Sequence, residues 1–405
     1  MRICFVSRRF FPAISGMSIY AINLLRQLVA AGHDVTMISQ YRDDEVGRGV
    51  YGGGPPPAVP GVRVVGLEAK GEADCGDFER DIDEMVDVIA REHERAPFDV
   101  LHAQYGYPNG WAVLLASKRL GVPNIVSIQG GDGHWVGSCC DTHRLAMQRV
   151  LDHAGRVLIG GESFAQEVHE RLGTPMSRFT YIPGAVDTER FTPGDPLVDG
   201  DPVRLFYHGR VDRRKGVLDM LEALAKVQAK RDWRCTISGI GPDLEPAKAL
   251  AKTLRLGDRV SFTGYADYAD VPVLYRKHDV FLSPTYAEGF SNTILEAMAA
   301  RHAVLAGRSV GVIDCLRSGE NGVLIEPGDV NAIAAETSRL IDDDRFRAQL
   351  AETALAECRA TYSWDVVGRL IQEEYTAIAG TRPDVGFDTE LPMDDCRFRA
   401  EPHLL

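Results

Sequence analysis

Short apolar runs rich in Val and Ile alternate with longer amphipathic segments along the whole chain. A helical pattern is clear at residues 18–31, where apolar side chains recur at i, i+3 and i+4 spacing, and Ser18 is the expected N-cap. Strands separated by helices predict a parallel sheet covered on both faces. The first set of predicted strands comprises residues 2–7, 34–39, 62–67, 99–104, 124–129 and 156–160.

The same alternation starts again in the second half of the chain. Between the two halves, residues 181–202 are rich in Pro, Gly and Asp, which is typical of a linker. A single very large sheet would have to bury this polar join, so we expect two doubly wound α/β domains hinged near residue 185. The second set of predicted strands comprises residues 204–209, 234–238, 259–263, 279–283, 303–306 and 323–325.

These patterns predict the domain boundaries. We expect an N-terminal domain over residues 1–185 and a C-terminal domain over residues 186–362. A helix at 363–380 is expected to pack back on the N-terminal domain. The tail at 381–405 lacks helical periodicity and is expected to be extended or disordered.

Composition narrows the class of protein. The 405 residues include 45 Lys and Arg against 58 Asp and Glu, a net charge of −13, which argues against a nucleic-acid binder. No apolar stretch is long enough to span a membrane, and the N-terminus lacks the features of a signal peptide. The 8 cysteines show no C-x-x-C spacing, so we expect neither a metal site nor disulfides. A protein without disulfides is expected in the cytoplasm. We expect at most peripheral contact with a membrane.

The most informative segment is residues 284–300, PTYAEGFSNTILEAMAA. Glu288 is expected at the carboxyl end of a strand, where open α/β sheets bind ligands, and Glu296 inside the following helix. Gly289 allows close backbone approach. The predicted helix N-terminus offers free amides for an anion, contributed by Ser291, Asn292 and Thr293. One segment thus offers amides that could bind phosphate and carboxylates that could accept hydrogen bonds from hydroxyls, as a nucleotide sugar would require. The alternative is a capped helix with one surface Glu and one partly buried Glu.

Three further segments carry candidate chemistry. A basic turn follows the predicted strand that ends at Gly209, and its Arg210 and Lys215 suit a diphosphate, although a solvated basic loop is the alternative. A glycine-rich turn at 238–244 contains Gly241 and is weak evidence by itself. Backbone groups after Phe262 are candidates to read a base edge.

In this order and spacing, the four segments resemble the family 4 glycosyltransferases, which are retaining enzymes with the GT-B fold. The resemblance covers about residues 1–380 and is most specific in the Glu-x7-Glu motif of Glu288 and Glu296. Residues 30–39 and 182–191 add further matches. The resemblance implies two Rossmann-like doubly wound domains facing each other across a cleft. It also implies that the N-terminal domain, residues 1–185, binds the acceptor and that the C-terminal domain, residues 186–362, binds the nucleotide sugar.

The resemblance also implies an activity. The protein would transfer a sugar from a UDP- or GDP-linked donor to an acceptor hydroxyl with retention of configuration, by a front-face mechanism without a metal or cofactor. Arg210 and Lys215 would hold the diphosphate, Glu288 would face the donor sugar, and Glu296 would bind ribose hydroxyls. The expected donor-binding set is Gly16, Gly209, Gly241, Phe262, Gly289, Phe290, Ser291, Asn292, Thr293 and Glu296.

The sequence departs from the family pattern in two places. Ser15 replaces one glycine of the first loop, and Gln129 stands where many relatives carry a His that contacts the donor sugar. Gln129 remains a catalytic candidate, although an amide cannot take a proton. Asp132 and His134 are possible substitutes for the missing His.

The acceptor would be a glycan or lipid-linked intermediate, or a small metabolite. Aromatic residues of the first domain could stack on a sugar acceptor or could simply pack; they are Tyr105, Tyr107, Trp111 and Trp135. Arg8 and Arg9, with the two Phe residues that follow, could meet an anionic or lipid-linked acceptor.

Other functions remain open at this point. A sugar-nucleotide epimerase or a phosphorylase would use a similar fold, and the changes at Ser15 and Gln129 make a catalytically impaired nucleotide-sugar binder conceivable. An NAD oxidoreductase is weakened because the first strand–helix turn lacks G-x-G-x-x-G.

Overall fold

The computed structural model describes residues 1–13, 15–74, 76–130, 136–198 and 200–402, with the side chains of residues 49–51 and 136 left aside. The chain divides into two compact units. The first unit consists of Met1–Pro183 together with Val367–Leu405, and the second of Gly184–Val366.

The first unit is built on a seven-stranded parallel sheet with the order β3-β2-β1-β4-β5-β6-β7. In the central strand, Ile3, Cys4, Phe5 and Val6 are all fully buried, as expected for a sheet covered on both faces. The strands are β1 (Arg2–Arg8), β2 (Asp34–Tyr41), β3 (Val62–Glu68), β4 (Val100–Gln104), β5 (Asn124–Ile128), β6 (Arg156–Ile159) and β7 (Phe179–Tyr181). The strand order changes direction between β1 and β4.

The helices of the first unit connect these strands. They are α1 (Gly16–Ala30), α2 (Glu45–Tyr51), α3 (Lys70–Ala73), α4 (Phe78–Arg95), α5 (Trp111–Leu120), α6 (Asp141–His153) and α7 (Glu162–Leu172). A short kinked turn, Gly106–Gly110, precedes α5. Among the helices described in either unit, none is both long and apolar enough to cross a membrane.

The second unit is built on a six-stranded parallel sheet with the order β10-β9-β8-β11-β12-β13. Its strands are β8 (Val203–His208), β9 (Trp233–Ser238), β10 (Val260–Gly264), β11 (Val280–Ser283), β12 (Ala303–Gly307) and β13 (Val323–Ile325). Alternate side chains enter two cores on opposite faces: Leu205 lies in one and Phe206 in the other. The strand order changes direction between β8 and β11.

The helices of the second unit cover both faces of this sheet. They are α8 (Val217–Leu224), α9 (Leu244–Thr253), α10 (Val271–Arg276), α11 (Asn292–Ala299), α12 (Val330–Asp342), α13 (Asp344–Thr361) and α14 (Trp364–Ile378). Helix α14 begins in the second unit and continues, from Val367, in the first.

Two Rossmann-like parallel-sheet units confirm the predicted fold class. Each predicted strand is present, and the three-residue strand β7 was not predicted because it is short and lies on the sheet edge. The predicted N-cap of α1 was wrong by one turn. The cap is Ser15, whose side chain accepts from the Ser18 amide at 3.3 Å while the Ser18 hydroxyl accepts from the Ser15 amide at 2.8 Å.

The C-terminal segment is anchored in the first unit. The hydroxyl of Tyr375 in α14 lies 2.5 Å from Nδ1 of the buried His102, whose Nε2 lies 2.7 Å from the Ser127 hydroxyl. The tail runs without regular structure from 381 to 396 and then forms the one-turn helix α15 (Arg397–Ala400). Phe387 and Phe398 are buried, so the described part of the tail is extended and packs on the rest of the protein. Residues 403–405 are not among the described residues.

Candidate active site

The two segments with the strongest predicted chemistry lie at the change of direction in the second sheet. The basic turn, residues 209–216, follows β8, and the Glu-x7-Glu loop, residues 284–291, follows the neighbouring strand β11. Loops that follow adjacent strands on either side of such a reversal diverge and leave a crevice for a ligand. The fold therefore places both segments at the position where open α/β sheets bind ligands.

The two loops are joined by an ion pair. Nζ of Lys215 lies 2.6 Å from Oε1 of Glu288, and the side chains are 32% and 18% exposed. The Tyr286 amide also donates to the Arg214 carbonyl at 3.0 Å. Gly216 follows Lys215 with φ +70°, and a Cβ there would lie 2.1 Å from the Pro284 carbonyl oxygen. Only glycine lets the turn close this tightly onto the Glu288 loop.

Carboxylates engage the four cations of the basic turn unequally. Arg213 donates to Asp243 at 2.8 Å, and Arg214 donates to Asp212 at 2.9 Å. Arg210 approaches Asp212 only to 3.6 Å and is about half exposed. Arg210 is thus the most loosely held cation of the turn, whereas Lys215 pairs with Glu288 of the neighbouring loop.

A third loop supports the Glu288 loop from the opposite side. The Glu288 amide donates to the Val310 carbonyl at 3.2 Å. A Cβ on Gly311 would lie 2.6 Å from the carbonyl oxygens of both Glu288 and Gly289. Gly289 is buried, and the ring of Phe290 packs against Tyr362 at 5.9 Å between centroids. The side chain of Phe290 is therefore structural, and only its backbone remains a candidate for ligand contact.

Helix α11 begins next to this loop. Ser291 is its N-cap, and the hydroxyls of Ser291 and Thr293 lie 3.3 Å apart. Asn292 and Thr293 belong to the first helical turn, whose amide groups point out of the helix start. Ser291, Asn292 and Thr293 thus lie together at the start of α11, where the preceding loop ends.

Glu296 occupies a different environment from Glu288. It lies in the interior of α11 and is 7% exposed. Burial raises the pKa of Glu296 from 4.5 to about 7, although a hydrogen bond from Tyr275 and the charge of Arg190 act in the opposite direction. Near neutral pH such a carboxyl both donates and accepts hydrogen bonds.

The glycine-rich turn after β9 packs tightly against the turn after β8. A Cβ on Gly239 would lie 1.8 Å from the Gly209 carbonyl oxygen, and one on Gly241 would lie 2.2 Å from that of Val211. A Cβ on Gly209, which has φ +146°, would meet nothing within 4 Å. The close packing of the two loops thus explains why residue 241 is a glycine, whereas Gly209 borders open space.

Phe262 lies in the edge strand β10, and its side chain packs on the core of the second unit. The register against β9 shifts between Phe262 and Gly264. The Gly264 carbonyl accepts from the Gly239 amide at 2.7 Å, and Tyr265 is 47% exposed. The backbone after Phe262 therefore adjoins the glycine-rich turn.

The candidate residues of the first unit are partly described. Gly16 is the first residue of α1 and Gln129 immediately follows β5, while Tyr105 follows β4 with φ +86°. Tyr107 and Trp111 are 1% and 3% exposed and belong to the core, so stacking on a ligand was the wrong alternative for them. Asp132, His134 and Trp135 lie outside the described residues.

The first unit contains a pocket beside the end of β1. Arg8, Arg9 and Arg42 line it together with Gln40 and Glu72. Buried Arg8 donates to Glu72 at 2.8 Å, and Arg42 lies 3.4 Å from the same carboxylate. Arg42 also donates to Asp44 through Nε and Nη2, both at 2.6 Å. The three guanidinium groups and the carboxylates of Glu72 and Asp44 together carry a formal excess of one positive charge.

Sequence reasoning missed Arg190 and Asp212. Asp212 lies within the basic turn, where an acid among four bases was a usable signal. Arg190 lies within the predicted linker, residues 181–202. Its guanidinium lies 4.1 Å from the ring centre of Tyr268 and donates to the Tyr268 carbonyl at 2.9 Å. Its proximity to Glu296 depends on tertiary packing.

Comparison with known families identifies the class. The model described as "Glycosyl transferase 4-like domain" matches residues 15–185, and the one described as "Glycosyl transferases group 1" matches residues 189–356. Together the matches cover the second sheet and the first sheet apart from β1. They place the chain among the glycosyltransferases of the GT-B fold.

Relatives with assigned names agree with this class. Glycogen synthase of Mycobacterium tuberculosis is 26% identical over 406 residues, covering 93% of this chain and 95% of its own. D-inositol 3-phosphate glycosyltransferase 2 of Catenulispora acidiphila is 26% identical, and the match covers 89% of this chain and 90% of its own. N-acetyl-alpha-D-glucosaminyl L-malate synthase of Bacillus anthracis is 23% identical, covering 85% and 89%.

Solved structures show the same fold. Sucrose-phosphate synthase of Thermosynechococcus elongatus superposes with a TM-score of 0.77 at 21% identity, covering 93% of this chain and 98% of its own. Anabaena HepE in complex with UDP and glucose has a TM-score of 0.70 at 16% identity, covering 93% and 100%. These findings do not favour an epimerase or an impaired binding protein.

The environment of Glu296 predicts a pH effect on stability. Its folded-state pKa of about 7 lies above its ordinary 4.5, so its contribution to the free energy of unfolding is fully present below about pH 4.5 and is lost as pH rises through about 7. Glu296→Gln stays neutral throughout. We expect its melting temperature relative to wild type to rise between about pH 5 and about pH 8 by scanning fluorimetry. The exposed control Glu245→Gln should show no such trend, and a constant difference for Glu296→Gln would contradict the buried-carboxyl account.

Proposed function

We propose that this protein is a family 4 enzyme that transfers a sugar from a nucleoside-diphosphate sugar to an acceptor hydroxyl with retention of anomeric configuration. The observation that carries the proposal is the 2.6 Å contact between Lys215 and Glu288 across the two loops at the strand-order reversal. It brings a cation suited to phosphate and a carboxylate suited to sugar hydroxyls into one site. The donor therefore binds in the second unit.

In this proposal Arg210 and Lys215 hold the diphosphate. Lys215 is about one-third exposed, so its ammonium can turn from one carboxylate to a more highly charged diphosphate without unfolding the turn. Arg210 adds a planar guanidinium able to bind two phosphate oxygens at once. Both charges stabilise the leaving group as negative charge develops on it, which is usually a large catalytic term.

The proposed reaction proceeds on one face of the donor sugar. The bond between the anomeric carbon and the diphosphate oxygen breaks, and its electron pair stays with the diphosphate. The acceptor oxygen forms its bond to the same face of the oxocarbenium-like carbon, and the acceptor proton passes to a departing phosphate oxygen. The two cations supply the charge stabilisation at the diphosphate, so we propose that this step needs no divalent metal.

Two acidic groups orient the donor. Glu288 accepts hydrogen bonds from hydroxyls of the transferred sugar, and the adjacent helix-start amides of α11 face its phosphates. Glu296, whose pKa is raised to about 7, binds the ribose hydroxyls as donor and acceptor. Because HepE structures contain UDP and glucose, UDP-glucose is the first donor to test.

Variants of the ion pair separate donor binding from transfer. Lys215→Met should lower kcat by roughly a hundredfold or more, because it removes charge stabilisation of the leaving diphosphate. Glu288→Gln should also lower kcat, yet it should tighten the binding of free UDP, because the amide no longer competes for the Lys215 ammonium. Turnover of sugar donors and calorimetric UDP affinity measure the two effects.

The matched control is Lys226→Met, whose ammonium contacts Asn331 at 3.1 Å on the exposed surface and should leave both quantities unchanged. Full turnover in Lys215→Met, or weaker UDP binding in Glu288→Gln, would contradict these roles. Product anomers read by NMR test retention. Assays with and without added Mg²⁺ test the metal-free diphosphate step.

We further propose that the acceptor is a small cytoplasmic molecule with an anionic group, held in the arginine-lined pocket of the first unit. Arg9 and Arg42 line this pocket, and its only buried carboxylate among the lining side chains is Glu72. The printed names of two relatives include inositol 3-phosphate and malate, both anionic. The cytoplasm is the expected compartment because the cysteine spacing predicts no disulfide framework.

Charge removal in this pocket should weaken acceptor binding specifically. Arg9→Gln and Arg42→Gln should each raise KM for an anionic acceptor by about tenfold, equivalent to about 1.4 kcal/mol, and leave KM for the donor unchanged. Inositol 3-phosphate and malate are the first acceptors to assay against uncharged inositol.

Arg63→Gln is the control, because that arginine pairs with Glu92 on the surface at 2.7 Å and lies outside the pocket lining. Equal KM values for charged and uncharged acceptors in wild type would refute the anionic acceptor.

A further inference from the structure

Three cysteines and a histidine converge in the first unit. Cys139, Cys140 and His143 come from the start of α6, and Cys396 comes from the tail. Their ligand atoms all lie within 4.8 Å of one another. The sequence predicted no metal site because the cysteines lack C-x-x-C spacing, and the last ligand is 253 residues from His143.

The distances suit a tetrahedral metal ion. Sγ of Cys139 lies 3.9 Å from Sγ of Cys140 and 2.9 Å from Nδ1 of His143, and Sγ of Cys396 lies 3.6 Å from the same nitrogen. A tetrahedral zinc site with Zn–S of about 2.3 Å and Zn–N of about 2.0–2.1 Å separates its ligand atoms by roughly 3.5–4 Å. Small side-chain rotations would bring all four to one centre.

The local fold holds these ligands in position from both sides. Cys140 is the N-cap of α6, and His143 lies in its first turn. The hydroxyl of Thr142 donates to the Pro392 carbonyl at 2.6 Å and accepts from the Asp394 amide at 3.0 Å. The tail is therefore bonded to the beginning of α6 just before it delivers Cys396.

The surroundings of the cluster are those of a closed site. The ring of His143 is enclosed by Phe78, Tyr107 and Phe398, whose ring centres lie 5.6, 4.4 and 6.3 Å away. Its buried Nε2 has no hydrogen-bond partner among the described residues, and Nδ1 faces the sulfurs. A neutral imidazole with its proton on Nε2 presents an Nδ1 lone pair, as a metal ligand must.

We propose that Cys139, Cys140, His143 and Cys396 bind one Zn²⁺ that fastens the C-terminal tail to the first unit. Three thiolates and one imidazole are an established donor set for structural zinc, and soft sulfur ligands select zinc over magnesium or calcium. Four protein ligands leave no open position, so this ion is structural. Binding releases the thiol protons and links tail docking to metal affinity.

Metal content of the full-length protein tests the site. After purification with reductant and without chelator, mass spectrometry of bound elements should find about one zinc per chain. Cys396→Ala should lose it, whereas Cys235→Ala, a buried cysteine of the second unit, should keep it. In the wild type, Co²⁺ replacing zinc should give intense thiolate-to-cobalt charge-transfer absorption, a readout that does not depend on the folding of a variant.

Tail docking provides the second readout. Trypsin should cleave after Arg397 and Arg399 slowly in zinc-loaded protein and faster after zinc removal, because the metal holds the preceding Cys396. Zinc-free wild type that binds neither Zn²⁺ nor Co²⁺ would overturn the proposal. Undiminished zinc in Cys396→Ala, or an intact mass showing a disulfide among these cysteines in reduced preparations, would also overturn it.

Discussion

The ion pair between Lys215 and Glu288 is the contact on which the account of the donor site depends. It joins the loops that follow two adjacent parallel strands, at the point where the strand order of the second sheet reverses. Partly exposed pairs of this kind contribute about 0–1 kcal/mol to stability. The pair is therefore important for its position rather than for its stability. It holds a cation proposed to bind phosphate and a carboxylate proposed to bind sugar hydroxyls 2.6 Å apart.

The rest of the second unit is arranged around that contact. Gly216 allows the basic turn to approach Pro284, and Gly311 allows a third loop to approach the backbone of Glu288. Asp243 and Asp212 engage Arg213 and Arg214 closely. These two carboxylates reduce repulsion within the turn. Arg210 is held only loosely by Asp212, and Lys215 pairs with Glu288 across the two loops.

Sequence patterns predicted the strands of both sheets and the position of the Glu-x7-Glu motif. Both depend on the periodicity and spacing of residues within short segments of the chain. Periodicity defined strands such as 279–283 within one or two residues, and the x7 spacing placed Glu296 one turn into α11. The patterns could not reveal that Gly241 serves loop packing, or that Arg190 approaches Glu296. Those relations depend on tertiary contacts between segments distant in sequence.

The same limit explains the C-terminal tail. Its low periodicity indicated an extended segment, but the burial of Phe387 and Phe398 depends on surfaces formed by other elements. Cys396 lies far along the chain from Cys139 and Cys140, so spacing rules gave no signal for the cluster. Neither the ordered packing of the tail nor its candidate metal site could therefore be predicted from the sequence, because both depend on contacts between segments distant in the chain.

Calorimetry of nucleotide binding without divalent metal tests the central claim most directly. If Arg210 and Lys215 form a diphosphate site, nucleoside diphosphates should bind at least about tenfold more tightly than the matching monophosphates, a difference of about 1.4 kcal/mol. Replacing both cations with uncharged residues should abolish that difference. Equal affinities for the two nucleotides in the wild type, across uracil, guanine and adenine, would contradict the account.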